Sequence, residues 1–334
     1  RPPAHLAIEF GTPEEAERAR DLIKVEYEEL EPVTDPVQAL AEDAPKLHPK
    51  GNLLTTTTLK RGDVDKALAE CDYVVTNTYR TPFTEHAFLE PESALAVPEG
   101  DRLTVYVGTQ SVHHDRHSLA RILNMPEEKI RVVNKFVGGG FGGKEDLSVQ
   151  HHAALLARAT GKPVKLTLTR EESIKVHPKR HAMIMEVTTG CNKEGKVLAM
   201  KATIYFDTGA YASLGGPVLQ RACTHATGPY YIPNIDIVGY GVYTNNPPAG
   251  AFRGFGVPQS NFALESQLDI LAEKVGISPW EIRYRNALRP GARIASNQIA
   301  AEDTNIVDTL LAVKEEFEKH KYAGIACAMK NVGL

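Results

Sequence analysis

The chain has 334 residues, 42% of them hydrophobic and 24% charged, with a formal net charge of −4. That composition suits a globular chain with one large core or two domains. The mildly acidic balance gives no general field for nucleic acid or anionic membrane, and no apolar run approaches the roughly 20 residues that span a bilayer.

Taken in chain order, Leu6 to Phe10 reads as a strand. Thr12-Pro13-Glu14-Glu15 then opens a helix with a threonine cap, proline in the first turn and acids at the positive dipole end. Ala16, Ala19, Leu22 and Ile23 recur at helical spacing, and Lys24 to Tyr27 alternates, so residues 4–30 read strand–helix–strand. Pro32, Pro36, Pro45 and Pro49 make residues 31–60 an irregular connector containing a domain boundary.

Beyond Asp72, strands and helices mix. Leu103 to Val107 alternates as a strand ending at Gln110, and Val112 to Leu123 is helical up to Pro126. Ile130 to Val137 is a strand, Leu147 to Ala159 a helix and Pro163 to Leu168 a strand. Met183–Val187 and Val197–Phe206 form a hairpin around Lys193-Glu194-Gly195. Val218 to Cys223 is helix-like, Gln259–Val275 and Ser278–Leu288 are helices, and Gly324 to Met329 begins a buried strand. The fold class is α+β. Both ends run almost directly into apolar sequence, as in a piece of a longer protein or a subunit completed by a partner.

The functional punctuation lies in Val137-Gly138-Gly139-Gly140-Phe141-Gly142-Gly143-Lys144-Glu145 and Gly250-Ala251-Phe252-Arg253-Gly254-Phe255-Gly256. Glycines let backbone amides approach a ligand, and a strand-to-helix position suits an anion. Gly138, Gly140 and Gly143 fit G-x-G-x-x-G, but the expected ribose-binding acid is misplaced. The P-loop pattern also fits through Lys144, except that Glu145 replaces the magnesium-binding hydroxyl.

Other residues carry plainer alternatives. His113 and His117 lie four apart on one helix, but no third ligand has supporting spacing and Asp115 reads as a surface charge. Cys71, Cys191, Cys223 and Cys327 form no C-x-x-C pair and read as reduced thiols in a cytoplasmic chain without a secretory signal. Gln110 offers donor and acceptor, or a turn amide. Arg253, among glycines and aromatics, calls for an anionic partner or a structural salt bridge. Glu145 and Arg221 could hold a flat heterocycle on which Phe255 stacks. Alternatively they are a helix-start acid, a protein ion pair and a core aromatic.

The ordered landmarks resemble the molybdopterin-binding large subunit of the molybdenum hydroxylases, the xanthine dehydrogenase and aldehyde oxidase family. They are Glu85-His86 with Glu90-Pro91, Gly108-Thr109-Gln110, Gly138 to Glu145, Leu168 to Glu171, Asp207 to Tyr211, Arg221 and Ala251 to Gln259. Thr244 to Gly250 looks most like the bacterial, selenium-associated xanthine dehydrogenase branch. The resemblance implies a remnant of an α/β-hammerhead domain at 1–50, followed by the first part of the molybdopterin-binding domain at 51–334. It implies a molybdenum cofactor held by its pterin dithiolene, with the cytosine dinucleotide form as one variant, so the protein supplies no direct metal ligand. Gln110, Phe141, Gly142 and Arg253 become cofactor contacts, with Gly142 bringing backbone close to the metal. Glu145, Arg221 and Phe255 become contacts to a purine-like substrate such as xanthine or hypoxanthine.

The implied activity is hydroxylation with water as oxygen source, electrons leaving through iron–sulfur clusters and FAD on other domains or subunits. The base glutamate is expected outside this chain, which alone would be inactive and would need the remaining molybdopterin-domain part as partner. The alternatives are a non-catalytic scaffold subunit, or a hydroxylase of another heterocycle or an aldehyde.

Overall fold

The computed structural model describes residues 12–330. In chain order the first elements are α1 (Pro13–Asp21), β1 (Leu53–Arg61), α2 (Val64–Ala69), β2 (Tyr73–Thr81), β3 (Ser93–Glu99) and β4 (Arg102–Val107). Next come α3 (Val112–Leu123), β5 (Ile130–Asn134), α4 (Gln150–Thr160), β6 (Val164–Thr167), α5 (Arg170–Val176) and β7 (Ala182–Cys191). The chain continues through β8 (Val197–Gly209), α6 (Gly215–Thr224), β9 (Asn234–Tyr243), α7 (Val257–Val275), α8 (Pro279–Asn286) and α9 (Ile306–Lys319).

The chain divides into two compact units. Among the described residues, the first comprises 12–32, 91–137 and 147–169. Its four-stranded sheet has the order β5-β4-β3-β6, with β4 and β5 parallel and the other pairs antiparallel. Ala94, Ala96, Leu103 and Val105 from this sheet pack against Leu119 of α3 and Ala153, Ala154 and Ala157 of α4. Small alanines on α4 let that helix lie close to the strands. Asp115, expected on the surface, is fully buried and accepts a hydrogen bond from Gln150 Nε2 at 3.2 Å. The acid faces α4 across the unit, a tertiary placement that helical spacing alone does not reveal.

Among the described residues, the second unit comprises 33–90, 138–146 and 170–330. Its five-stranded sheet has the order β1-β9-β8-β7-β2, with β8 and β9 parallel and the rest antiparallel. Along β8, Met200, Ala202, Ile204 and Phe206 point into one core with Leu219 of α6 and Leu264, Leu268 and Leu271 of α7. Ala199 faces α2 on the other side, as a period of two requires. The helix α6 lies on β1 and β9, and α7 on β2 and β7. The second glycine-rich segment leads directly into α7 and lies against α6 at Gly256.

The α+β class and the hairpin are as the sequence indicates. The capped α1 is also present, with Thr12 and Glu15 forming a reciprocal capping box. The strand expected at Leu6–Phe10 lies outside the described residues. Three expectations change. Lys24 to Tyr27 forms no strand: Val25 and Tyr27 are exposed, and among the described residues no strand pairs with them. The connector assigned to 31–60 ends early, because residues 53–61 are the edge strand β1, paired with β9. Gly324 to Met329 likewise joins no sheet, though Ile325 and Cys327 are half-buried.

Candidate active site

The two glycine loops meet backbone to backbone in the second unit. Arg253 N–H donates to Phe141 O at 2.7 Å, and the first loop turns on bonds from Gly143 N–H to Gly140 O and Glu145 N–H to Gly142 O. Gly142 has φ +104°, and a Cβ there would lie 2.7 Å from the Ala251 carbonyl carbon and oxygen. The opposing loop therefore requires glycine here, independently of the close approach to a cofactor that the family resemblance implies. At the far end, a Cβ on Gly256 would lie 2.3 Å from Val218 O, so the second loop also abuts α6.

Two phenylalanines adopt the left-handed region in these loops, Phe141 at φ 54° and Phe255 at φ 51°. Non-glycine residues there carry on the order of 1–3 kcal/mol of strain each, usually held by surrounding structure and concentrated at functional sites. Phe141 is 46% exposed. Phe255 is half-buried against the main core, so its plainer reading as a core aromatic is partly met.

A set of buried polar groups braces the loops. Lys144 ammonium binds Glu90 Oε2 at 2.7 Å and lies 4.7 Å from the Phe88 ring centroid, while Gly138 N–H donates to the same carboxylate oxygen. The lysine of the P-loop-like pattern is thus committed to Glu90. Nor does the loop open a helix, since α4 begins at Gln150. Both phosphate-loop readings lose their footing.

His86 is the second brace, a role that no local pattern assigns to it. Its Nε2 donates to Ala251 O at 2.7 Å, its ring stacks on Phe252 at 4.0 Å, and Gly143 lies against the ring's other atoms. Burial holds its pKa down at about 4, so the imidazole is neutral. Beside it, Glu85 bonds His177 Nε2 at 2.7 Å and Lys179 ammonium at 2.8 Å. Burial opposes its charge, but bonds from Lys179 and the Ala87 amide leave the Glu85 carboxyl below its ordinary range. Arg180 sits 3.9 Å over the Phe252 ring and donates to Arg253 O at 2.9 Å. Sequence separation hid this network; the Glu85-His86 pair was its only visible signal.

Glu85, His86 and His177 are also the one group of metal-type ligands among the described residues. Lys179 ammonium on the Glu85 carboxylate and the Ala251 carbonyl on His86 occupy it with internal bonds. The helical histidines do not gather ligands: His117 instead approaches Glu127 at 3.7 Å.

The remaining sequence candidates divide. Burial, and next the neighbouring Asp146, raise the Glu145 carboxyl pKa. The Asp146 carboxylate accepts from Ser213 Oγ at 2.6 Å. No helix starts at Glu145, so a helix-start role is excluded. Arg221, on α6, is half-buried, and its Nη1 is buried without a hydrogen-bond partner among the described residues. The ion pair that would have explained it is absent among those residues. Its charge instead adds to burial in lowering the pKa of Lys330. Arg253, expected to be buried, is exposed, because its backbone rather than its guanidinium serves the loop contact.

Gln110 lies in the first unit, three residues beyond β4 and exposed. Its turn is fixed by Thr109 N–H to Asn134 Oδ1 and Ser111 N–H to Thr109 Oγ1, both 3.1 Å.

These features suit a cofactor that carries its own metal ligands. The second unit presents an exposed aromatic face, a buried guanidinium N–H unpartnered among the described residues, and loop backbone held rigidly from behind. Residues 47–287 match the family model described as a molybdopterin cofactor-binding domain. The chain is 44% identical to the nicotinate dehydrogenase large molybdopterin subunit of Eubacterium barkeri, over 94% of this chain and 74% of that protein. It is 43% identical to a probable xanthine dehydrogenase subunit of Bacillus subtilis, over 99% of this chain and 46% of that one. The aldehyde oxidoreductase of Desulfovibrio gigas superposes with a TM-score of 0.88 at 30% identity, covering 92% of this chain and 34% of its own. The chain thus spans less than half of the latter two. A domain match over most of this chain, joined to a 44% identical relative covered over 74% of its own length, decides the assignment: this chain belongs to the molybdopterin-binding family of the molybdenum hydroxylases.

Proposed function

We propose that the chain forms the molybdopterin-binding and substrate-orienting part of an enzyme that hydroxylates a purine-like N-heterocycle such as xanthine or hypoxanthine. The observation that carries this reading is Arg221, a half-buried cation with an unsatisfied N–H and no carboxylate partner among the described residues. A guanidinium in that state favours a ligand bearing a carbonyl or a developing negative charge. Glu145 supports it, since a carboxyl with a raised pKa can accept a ring N–H when ionised and donate when protonated. Phe255 is proposed as the stacking face and Phe141, Gly142 and Arg253 as cofactor contacts, Arg253 through its exposed guanidinium. Gln110 keeps a separate proposed role as hydrogen-bond partner to the cofactor's oxo group.

When bound, the molybdenum cofactor supplies the two-electron oxidation of the heterocycle. The chain's own residues bind and orient the ring and exclude water from its face. A cytosine dinucleotide form, iron–sulfur and FAD partners, and a base glutamate on another segment belong to the same proposal. So does a domain division near residue 50, supported by the family match from residue 47.

A second reading, nicotinate as substrate, is favoured by the 44% identity to the Eubacterium barkeri subunit. Arg221 could pair with its carboxylate, whereas Glu145 would repel it. Kinetics in the complete enzyme separate the two. Arg221→Met should leave molybdenum content intact and lower kcat/KM for xanthine at least ~100-fold, about 3 kcal/mol of transition-state stabilisation. Glu145→Ala should also impair xanthine oxidation. If it instead improved nicotinate turnover while xanthine was never oxidised, the purine reading would give way to nicotinate.

A further inference from the structure

A cavity of about 420 Å³ opens at the start of β8, and its lining includes Lys196, Arg285, Arg289, Tyr231, Val197 and Pro233. Among the described residues, no acid lines it. Its cations are held mainly by main-chain carbonyls. Lys196 ammonium binds Arg285 O, Arg285 Nη1 binds Glu194 O, and Arg289 donates to Ala287 O and Tyr284 O. Only Arg285 has a carboxylate among the described residues, Glu281 at 2.7 Å. Three cations against one acid leave about two positive charges in a chain whose net charge is −4.

The surroundings add to this field. Arg61 lies 5.8 Å from the Tyr231 ring centroid, and it donates to the Pro233, Ile294 and Ile232 carbonyls and to Asn297 Oδ1. Burial lowers the Lys196 pKa, and repulsion from Arg289 and Arg285 lowers it further. Carbonyl anchoring orients cations without neutralising them, which leaves their charge for an external anion.

We propose that this cavity binds a small organic phosphate of mononucleotide size. A phosphate carries up to two negative charges at neutral pH, matching the uncompensated pair. The cavity falls within the roughly 300–1,000 Å³ of small-molecule sites, and its apolar walls and half-exposed Tyr231 ring suit an organic body stacked beside the phosphate. It is separate from the candidate active site: β8 runs from Val197 to Gly209, so its two ends lie about 40 Å apart at ~3.3 Å per residue. The glycine loops follow the far end, where Gly209 abuts Pro247.

The test is calorimetric titration of the complete enzyme with AMP at physiological salt, with xanthine present to fill any purine site. One AMP should bind per chain with a submillimolar Kd. Lys196→Ala with Arg289→Ala should weaken it at least tenfold while melting temperature and molybdenum content stay unchanged. Tyr231→Leu, which spares the cations, should weaken AMP but not inorganic phosphate. Absence of saturable AMP binding, or binding indifferent to these variants, would overturn the proposal. Equal affinity for AMP and inorganic phosphate would overturn its organic part. Loss of an accompanying subunit from the double variant, without AMP binding by the parent, would assign the surface to that subunit instead.

Discussion

Arg221 holds its place on α6 at a cost, because a buried donor with no partner among the described residues forfeits about 1–3 kcal/mol. Arg221→Met should therefore leave the protein as stable or slightly more stable, with a melting temperature equal to or above that of the parent. A fall of more than about 5 °C would reveal an internal partner and weaken the substrate assignment. His86 behaves oppositely. His86→Leu removes the bond to Ala251 O and the stack on Phe252, and should cost about 2–3 kcal/mol. Hydrogen exchange should rise first at residues 250–256, and protection unchanged in that loop would show that His86 does not brace it.

At the scale of elements, α7 is the hub. Gln267 donates to the carbonyls of Val75 on β2 and Val187 on β7, tying the helix to the sheet. Glu265 accepts from Tyr230 Oη, Arg283 Nε and Cys327 N–H, all on different segments. Arg283 is fully buried, so Glu265→Ala strands its charge with the half-exposed Asp269 as its one carboxylate partner among the described residues. The expected loss is about 3–5 kcal/mol, read from the shift in urea midpoint. A change under about 1 kcal/mol would mean Asp269 suffices. Strong local periodicity made α7 and the β7–β8 hairpin legible from sequence. The edge strand β1 was not, because its Thr55–Thr58 run follows four prolines and its partner β9 lies some 180 residues on, interrupted by Gly239 and Gly241. The site shows the same division: contiguous motifs announced the loops. The Glu85–His86–His177 brace and the exposure of Arg253 depend on contacts that only folding creates.

Across the whole molecule, buried neutral histidines set the response to acid. Burial depresses His86 to about 4 and His181 to about 3, below the unfolded value near 6.5. Below pH 6.5 the unfolded chain binds protons that the folded chain refuses, so stability is lost as pH falls towards 4. The raised Glu145 and Asp207 carboxyls work in the opposite sense, though mostly nearer their own titration range. Between pH 7.5 and 5 the two histidines together contribute a loss of at most about 4 kcal/mol, seen as a lower urea midpoint. A midpoint that held or rose would contradict this. The left-handed phenylalanines carry a different consequence, one for laboratory evolution. Asparagine occupies the backbone geometry of Phe141 and Phe255 more cheaply than phenylalanine does. Selection for heat resistance alone should therefore drift towards Phe141→Asn, on the more exposed loop, and yield a sturdier protein with its aromatic face erased.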